Sequence, residues 1–164
     1  MRSQLWINIY FYGFLAFLLF LFIYTYAYAD PLPNLQLTPG LARTDLTQDQ
    51  ICTIKWGKDE RAVSQAMKTQ VFKEYNYPQL NKDPRCPCEI DHLISRELGG
   101  ADDVRNLWVQ PYTGDWNAHM KDRLENRLHV DVCNGMVALK DAQANIVKDW
   151  VTFYQSYFGA VQHK

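Results

Sequence analysis

The stretch Glu89-Ile90-Asp91-His92-Leu93-Ile94, followed by Gly99-Gly100 and then Asn106-Leu107-Trp108, decides how this chain is read. Residues 89–94 alternate acidic and apolar side chains, the period-2 pattern of a short strand with Ile90 on one face and Glu89 and Asp91 on the other. Gly99-Gly100 with Asp102-Asp103 marks a turn, and residues 106–109 return as a second strand, so the block predicts a β-hairpin. Pro111, Gly114 and Asp115 break the chain again, and Asp115 is a suitable N-cap for a helix over residues 116–128. Asp91-His92 then lies on the first strand, Asn106 opens the second, and Asn117, His119, Lys121 and Asp122 fall in the helix start.

Working outward, residues 60–76 carry Val63, Ala66, Met67, Val71, Phe72 and Tyr75 at helical spacing, which predicts a helix with one buried face. Pro78 ends it, because the residue before a proline is pushed out of the helical region. A last helix is expected over residues 141–158, with Ala142, Ile146, Trp150, Phe153, Tyr154 and Tyr157 packing inward. In the middle helix Ala118, Leu124 and Leu128 face inward, Lys121 can pair with Glu125, and Glu125 with His129. Trp108, Trp116 and Trp150 read as core rather than as base-stacking platforms. The fold class is α+β: a mostly helical domain around a central hairpin and helix.

Residues 1–29 read as a leader rather than as part of that fold. Arg2 precedes an apolar run over residues 5–23, and Ala27-Tyr28-Ala29 supplies the small residues a signal peptidase requires. Cleavage after Ala29 and a secreted or periplasmic location are expected, with an uncleaved membrane anchor as the alternative. Residues 30–50, with Pro31, Pro33 and Pro39, show no sustained periodicity and read as a linker or surface arm before a domain of residues 51–160.

Removing residues 1–29 leaves 135 of the 164 residues, enough for one domain with a real core. It takes away only Arg2, so 16 Lys and Arg face 18 Asp and Glu. That balance gives no overall attraction to a polyanion, and any phosphate binding must come from a local patch or a metal. Nothing in the composition asks for an oligomer, and a monomer is expected.

Cys52, Cys86, Cys88 and Cys133 form an even set, which in a small exported domain favours disulfides. A bridge between Cys86 and Cys88 would close a very small, strained ring, so each is expected to pair with a distant partner, Cys52 or Cys133. A structural zinc site is the rival reading, but paired C-x-x-C spacings are absent.

The chemistry concentrates in the central block. A carboxylate beside an imidazole suits phosphodiester hydrolysis: oxygen ligands hold a hard divalent cation, and a histidine titrating near neutrality can deprotonate water. Asp91-His92 alone could equally be an ion pair at a strand end. His119 reads more simply as a solvated helix residue, and Glu89 as an exposed strand acid that could support a metal from behind Asp91. Arg96 and Arg105 flank the hairpin loop and could meet phosphate, although surface arginines are common.

Asp91-His92-Leu93-Ile94, Glu97-Leu98-Gly99-Gly100, Asn106-Leu107-Trp108 and the helix beginning at Trp116 together resemble the HNH endonucleases of the ββα-metal class. More narrowly, residues 51–154 resemble a group of small exported bacterial HNH-type proteins. The resemblance implies a disulfide-stapled domain around a ββα-metal motif. It implies that His92 is the general base, Asp91 a ligand of the catalytic cation, and Asn106 the residue that fixes the loop and orients the base. On the helix it points to Asn117 as the second ligand, with His119 as the alternative, although two residues apart on a helix point about 200° from each other. Lys121, with Arg96 and Arg105, is the implied substrate contact. The implied cofactor is one divalent cation, Mg²⁺ or alternatively Mn²⁺ or another such ion, and the implied substrate is DNA, with RNA as an alternative. Ser95 stands where many HNH motifs carry proline, and Val109 where the narrower group favours proline, which puts loop shape rather than chemistry in question. From a different class, a non-catalytic binding module at the cell envelope on the same scaffold is the competing function.

Overall fold

The computed structural model describes residues 30–57, 59–77 and 87–160. The expected leader and Cys86 lie outside the described residues. Among the described residues, four α-helices and one antiparallel pair of strands make an α+β domain: α1 (Gln48–Thr53), α2 (Gln65–Glu74), β1 (Cys88–His92), β2 (Leu107–Pro111), α3 (Ala118–Cys133) and α4 (Leu139–Phe158). Two 3-10 turns, Arg96–Leu98 and Val104–Asn106, interrupt the connection between the strands.

The hairpin forms where the alternation predicts it, with Ile90 opposite Val109, Asp91 opposite Trp108 and His92 opposite Leu107. Its first strand stops at His92 rather than Ile94, because the Ile94 N–H and C=O are both taken by the side chain of Asn106, at 2.9 Å each. All five residues of β2 are buried, which is why the second strand reads as an apolar run. Gly100 is required: a Cβ there would sit 1.7 Å from the Ile94 carbonyl oxygen.

The helices shift from their expected bounds for local reasons. α2 starts at Gln65, since Ser64 caps it by accepting the Met67 N–H at 3.2 Å, and Ala66 stays exposed. The cap of α3 is Asn117, not Asp115, and the helix runs on to Cys133 because no breaker intervenes before Asn134-Gly135. α4 carries a non-helical Asp149 inside it, and that carboxylate re-caps the chain by accepting the Thr152 N–H at 3.0 Å.

Two apolar clusters hold these elements. The larger joins Leu93, Ile94, Leu98 and Trp108 to Leu124, Leu128 and Val132 of α3 and to Ala142, Ile146, Trp150 and Tyr154 of α4. The smaller packs Val71 and Phe72 of α2 on Ile90, Leu107 and Val109. Trp108 and Trp150 are fully buried and Trp116 packs against the larger cluster, as the sequence reading expects. The arm of residues 30–50 is docked on this body: the Trp150 indole N–H donates to the Pro31 carbonyl at 2.7 Å, and the Thr38 hydroxyl to the Leu107 carbonyl at 2.8 Å.

Cys52 and Cys133 are bonded to each other, Cα to Cα 5.5 Å, and so tie α1 to the end of α3 across 81 residues. Neither is left for Cys86 or Cys88, which overturns the expected long-range pairing of those two. Cys88 is itself disulfide-bonded, and it packs beside the α2 cluster.

Candidate functional site

β1 carries Asp91-His92 toward α3, and between them opens a cleft of about 280 Å³. Among the described residues, its walls hold five carboxylates, Asp59, Asp91, Glu97, Asp122 and Glu125, against Arg61, Arg96 and the His92 imidazole. Such an excess of acid in a partly desolvated space raises the charging cost of each carboxyl. Burial, reinforced by Asp122, pushes Glu97 up to about 7. Burial and the neighbouring Asp91 also raise Asp122, with Lys121 and His119 opposing them.

Beneath the cleft lies a buried ionic knot. The Lys121 ammonium, fully buried, donates to Asp91 Oδ2 at 2.7 Å, to the His92 carbonyl at 2.6 Å and to Glu125 Oε1. Burial opposes its charge, but Asp91 and Glu125 outweigh that and hold Lys121 above the usual lysine range. Burial drives Glu125 well above the usual carboxylate range against the pull of Lys121. Lys121 therefore cannot meet a substrate, and its expected role is corrected: it orients Asp91 and anchors the backbone of His92.

His92 is 3 % exposed and held on both ring nitrogens. Nε2 lies 2.7 Å from Asp102 Oδ1 and Nδ1 lies 3.4 Å from the Arg61 guanidinium. Burial lowers its pKa below the ordinary histidine value, against Asp91 and Asp102 and with the help of Arg61, so the ring is neutral at neutral pH. A neutral, fixed imidazole is the form that can take a proton.

Asn106 does not face the cleft. Fully buried, it spends its whole amide on the loop: Oδ1 accepts from Ile94 N at 2.9 Å and Leu41 N at 3.3 Å, while Nδ2 donates to the carbonyls of Ile94 at 2.9 Å and Ala101 at 3.1 Å. It ties the turn behind His92 to the loop that follows.

The remaining expected residues divide. Asn117 caps α3, accepting the Met120 N–H at 3.3 Å and donating to the Gly114 carbonyl at 2.8 Å, and it does not line the cleft. His119 is exposed, its ring 5.7 Å from that of Tyr112, whose hydroxyl donates to Glu89 Oε2 at 2.7 Å. Arg96 does line the cleft but is already paired with Asp59 and donates to the Glu60 carbonyl at 2.6 Å. Arg105 grips Asp103 with two bonds of 2.9 and 2.8 Å, outside the cleft. His129 lies 3.5 Å from the Ile51 carbonyl and 3.5 Å from Cys133 Sγ, rather than on Glu125.

Asp122, Glu97 and Arg61 line the cleft and Asp102 lines the pocket beside it; the sequence alone assigned none of them a role. For Asp122 a signal existed: it shares a helix face with Glu125 and Asn126, three and four positions on. For Arg61 and Asp102 none did, because their places follow from loops. The described His, Cys, Asp and Glu atoms that lie together within 4.8 Å in threes are those of Cys52, His129 and Cys133, two of which form the disulfide. Among the described residues no helix is long and apolar enough to cross a membrane. No protein-family model matches this chain, and neither a curated protein nor a solved structure matches it.

Proposed function

We propose that this protein is an exported, metal-dependent endonuclease of the HNH type, hydrolysing phosphodiester bonds of DNA with little sequence preference. The observation that carries the reading is the convergence of Asp91 and His92 from β1 with Asp122 from α3 on one acidic cleft, behind which Asn106 braces the turn. An acidic cleft repels a phosphodiester unless a cation is held in it. Carboxylate oxygens are the donors hard divalent ions take, so the residues fit Mg²⁺ or Mn²⁺. Asp91, oriented by Lys121, and Asp122 would hold it, and the helix ligand moves from Asn117 or His119 to Asp122. When bound, such a cation supplies charge that polarises the phosphate and stabilises the departing oxygen. His92 takes the proton of the attacking water, and Arg61 stands beside it to meet a phosphate oxygen.

The purified protein should nick and then degrade plasmid DNA in Mg²⁺ or Mn²⁺ and stop on addition of EDTA. His92→Ala should lower the rate by about 1,000-fold or more with the fold retained by circular dichroism. A protein inert with every divalent ion tried defeats this reading.

One observation favours a second reading, a non-catalytic binding module: Lys121 already neutralises Asp91, so the acid needs no metal to be satisfied. Titration with Mn²⁺ followed by electron paramagnetic resonance separates the two. Saturable binding lost in Asp91→Asn and Asp122→Asn supports chemistry, and no binding supports the module.

A further inference from the structure

We propose that Asp102 is the positioning residue for His92, holding the imidazole as its Nε2–H tautomer so that the Nδ1 lone pair is turned to the cleft. The inference rests on the hydrolytic reading of the same site, and it is argued from the two neighbours of the ring. An ionised carboxylate only accepts hydrogen bonds, so a contact of 2.7 Å between Asp102 Oδ1 and Nε2 places the ring proton on Nε2. A guanidinium only donates, so Arg61 at 3.4 Å from Nδ1 requires a lone pair there. Both neighbours demand one tautomer. The Ala62 N–H and His92 overcome the effect of burial and keep Asp102 below the usual carboxylate range, which is the ionised form the geometry needs.

Asp102 is itself held in place. Its Oδ2 accepts the Ala62 N–H at 2.6 Å, and Arg96 Nε lies 3.5 Å from Oδ1. The Asn106 amide bonds both to Ile94, two residues after His92, and to Ala101, one residue before Asp102. Asn106 thus fixes the spacing between the strand that carries the base and the loop that carries its orienting acid.

In the hydrolytic step Arg61 leaves Nδ1 for a phosphate oxygen, a water gives its proton to the freed Nδ1 lone pair, and the water oxygen bonds to phosphorus. The bond from phosphorus to the leaving sugar oxygen breaks with its electron pair on that oxygen, which takes a proton from solvent. The imidazolium left behind is stabilised by Asp102 on Nε2–H.

The test uses the full chain labelled with ¹⁵N-histidine, with the His92 signals identified by their loss in His92→Gln. In EDTA, the wild-type ring should carry its proton on Nε2. Asp102→Ala should populate the Nδ1–H form, and in Mg²⁺ its kcat on plasmid DNA should fall about 100-fold with KM changed by less than about threefold. Asp102→Glu, which keeps an acceptor, should restore the wild-type tautomer and a tenth or so of the lost rate. A wild-type ring protonated on Nδ1 overturns the proposal whatever the variants do, and so does an Asp102→Ala protein with wild-type tautomer and kcat. A wild-type chain that carries Nε2–H but cleaves nothing overturns the hydrolytic reading and leaves the orienting role of Asp102 supported.

Discussion

The two halves of α3 differ in the charge they bury: the first holds the fully buried Lys121 beside apolar Ala118 and Leu124, the second only Asp131, paired with the half-exposed Arg127. Toward its start the helix turns Lys121 and Glu125 inward, where they meet Asp91; toward its end it turns in Leu128 and Val132, and Cys133 is stapled to Cys52. Apolar burial stabilises roughly in proportion to the area removed from water. A buried ion pair gives little net stability, because desolvation offsets much of its Coulomb attraction. The later half is therefore built for stability. The earlier half carries charge at a place where hydrocarbon would serve stability as well, and its reason is the arrangement of Asp91 and His92.

The largest effect should come from splitting the ionic knot. Lys121→Met leaves Asp91 and Glu125 without their cation and should destabilise the fold by about 3–5 kcal/mol in urea denaturation at pH 7. The double change Lys121→Met with Glu125→Leu should recover part of that loss, since it removes the uncompensated charge. Under the proposed hydrolytic reading, the rate of plasmid cleavage should recover in neither. A double variant with full activity would show that the knot is packing alone, and the contrast between the two halves would fail.

Leu128→Ala makes the reciprocal change in the later half. Leu128 is fully buried, and truncation should cost about 3 kcal/mol. The rate per folded molecule should stay as it was. A comparable loss is expected on replacing both Cys52 and Cys133 by Ser, of about 2–4 kcal/mol, the usual range for a native disulfide, read from the urea midpoint. Activity at low temperature should again be unchanged, and a changed rate would mean that α1 communicates with the cleft.

What was legible in the sequence follows the same division. Leu124, Leu128, Ile146 and Trp150 announce themselves by helical period, and the hairpin by alternation, because burying hydrocarbon leaves a pattern within one element. Lys121 leaves less: its pairing with Glu125 is legible, but a lysine reads as solvated, and its burial needs Asp91 and the His92 carbonyl, some thirty residues earlier. Asn117 and Asp115 are both good caps in sequence, and the Gly114 carbonyl bond decides for Asn117. The contacts of Asp102 and Arg61 with His92 are made by loops, whose course no periodicity encodes. The cysteine pairing was hidden for a similar reason, since it depends on α1 lying beside the far end of an α3 longer than expected.

The smallest effect is a pH dependence from the earlier half. Glu97 is raised to about 7 chiefly by burial, so the folded protein favours the protonated acid relative to the unfolded chain. A raised pKa means that the folded state binds the proton more tightly, and the associated stability is complete below the ordinary glutamate value near 4.5 and is lost as pH rises through 7. Glu97→Gln cannot ionise and escapes that loss. In EDTA, the variant and the wild type should therefore be about equally stable at pH 5, and by pH 8 the variant should be the more stable by about 1–2 kcal/mol, after allowing for the solvent that still reaches Glu97. Leu128→Ala, which removes no titrating group, should show a constant deficit across the same range. If Glu97→Gln also runs parallel to the wild type from pH 5 to 8, the acid is solvated in the folded state, and the cleft is less desolvated than its carboxylates imply.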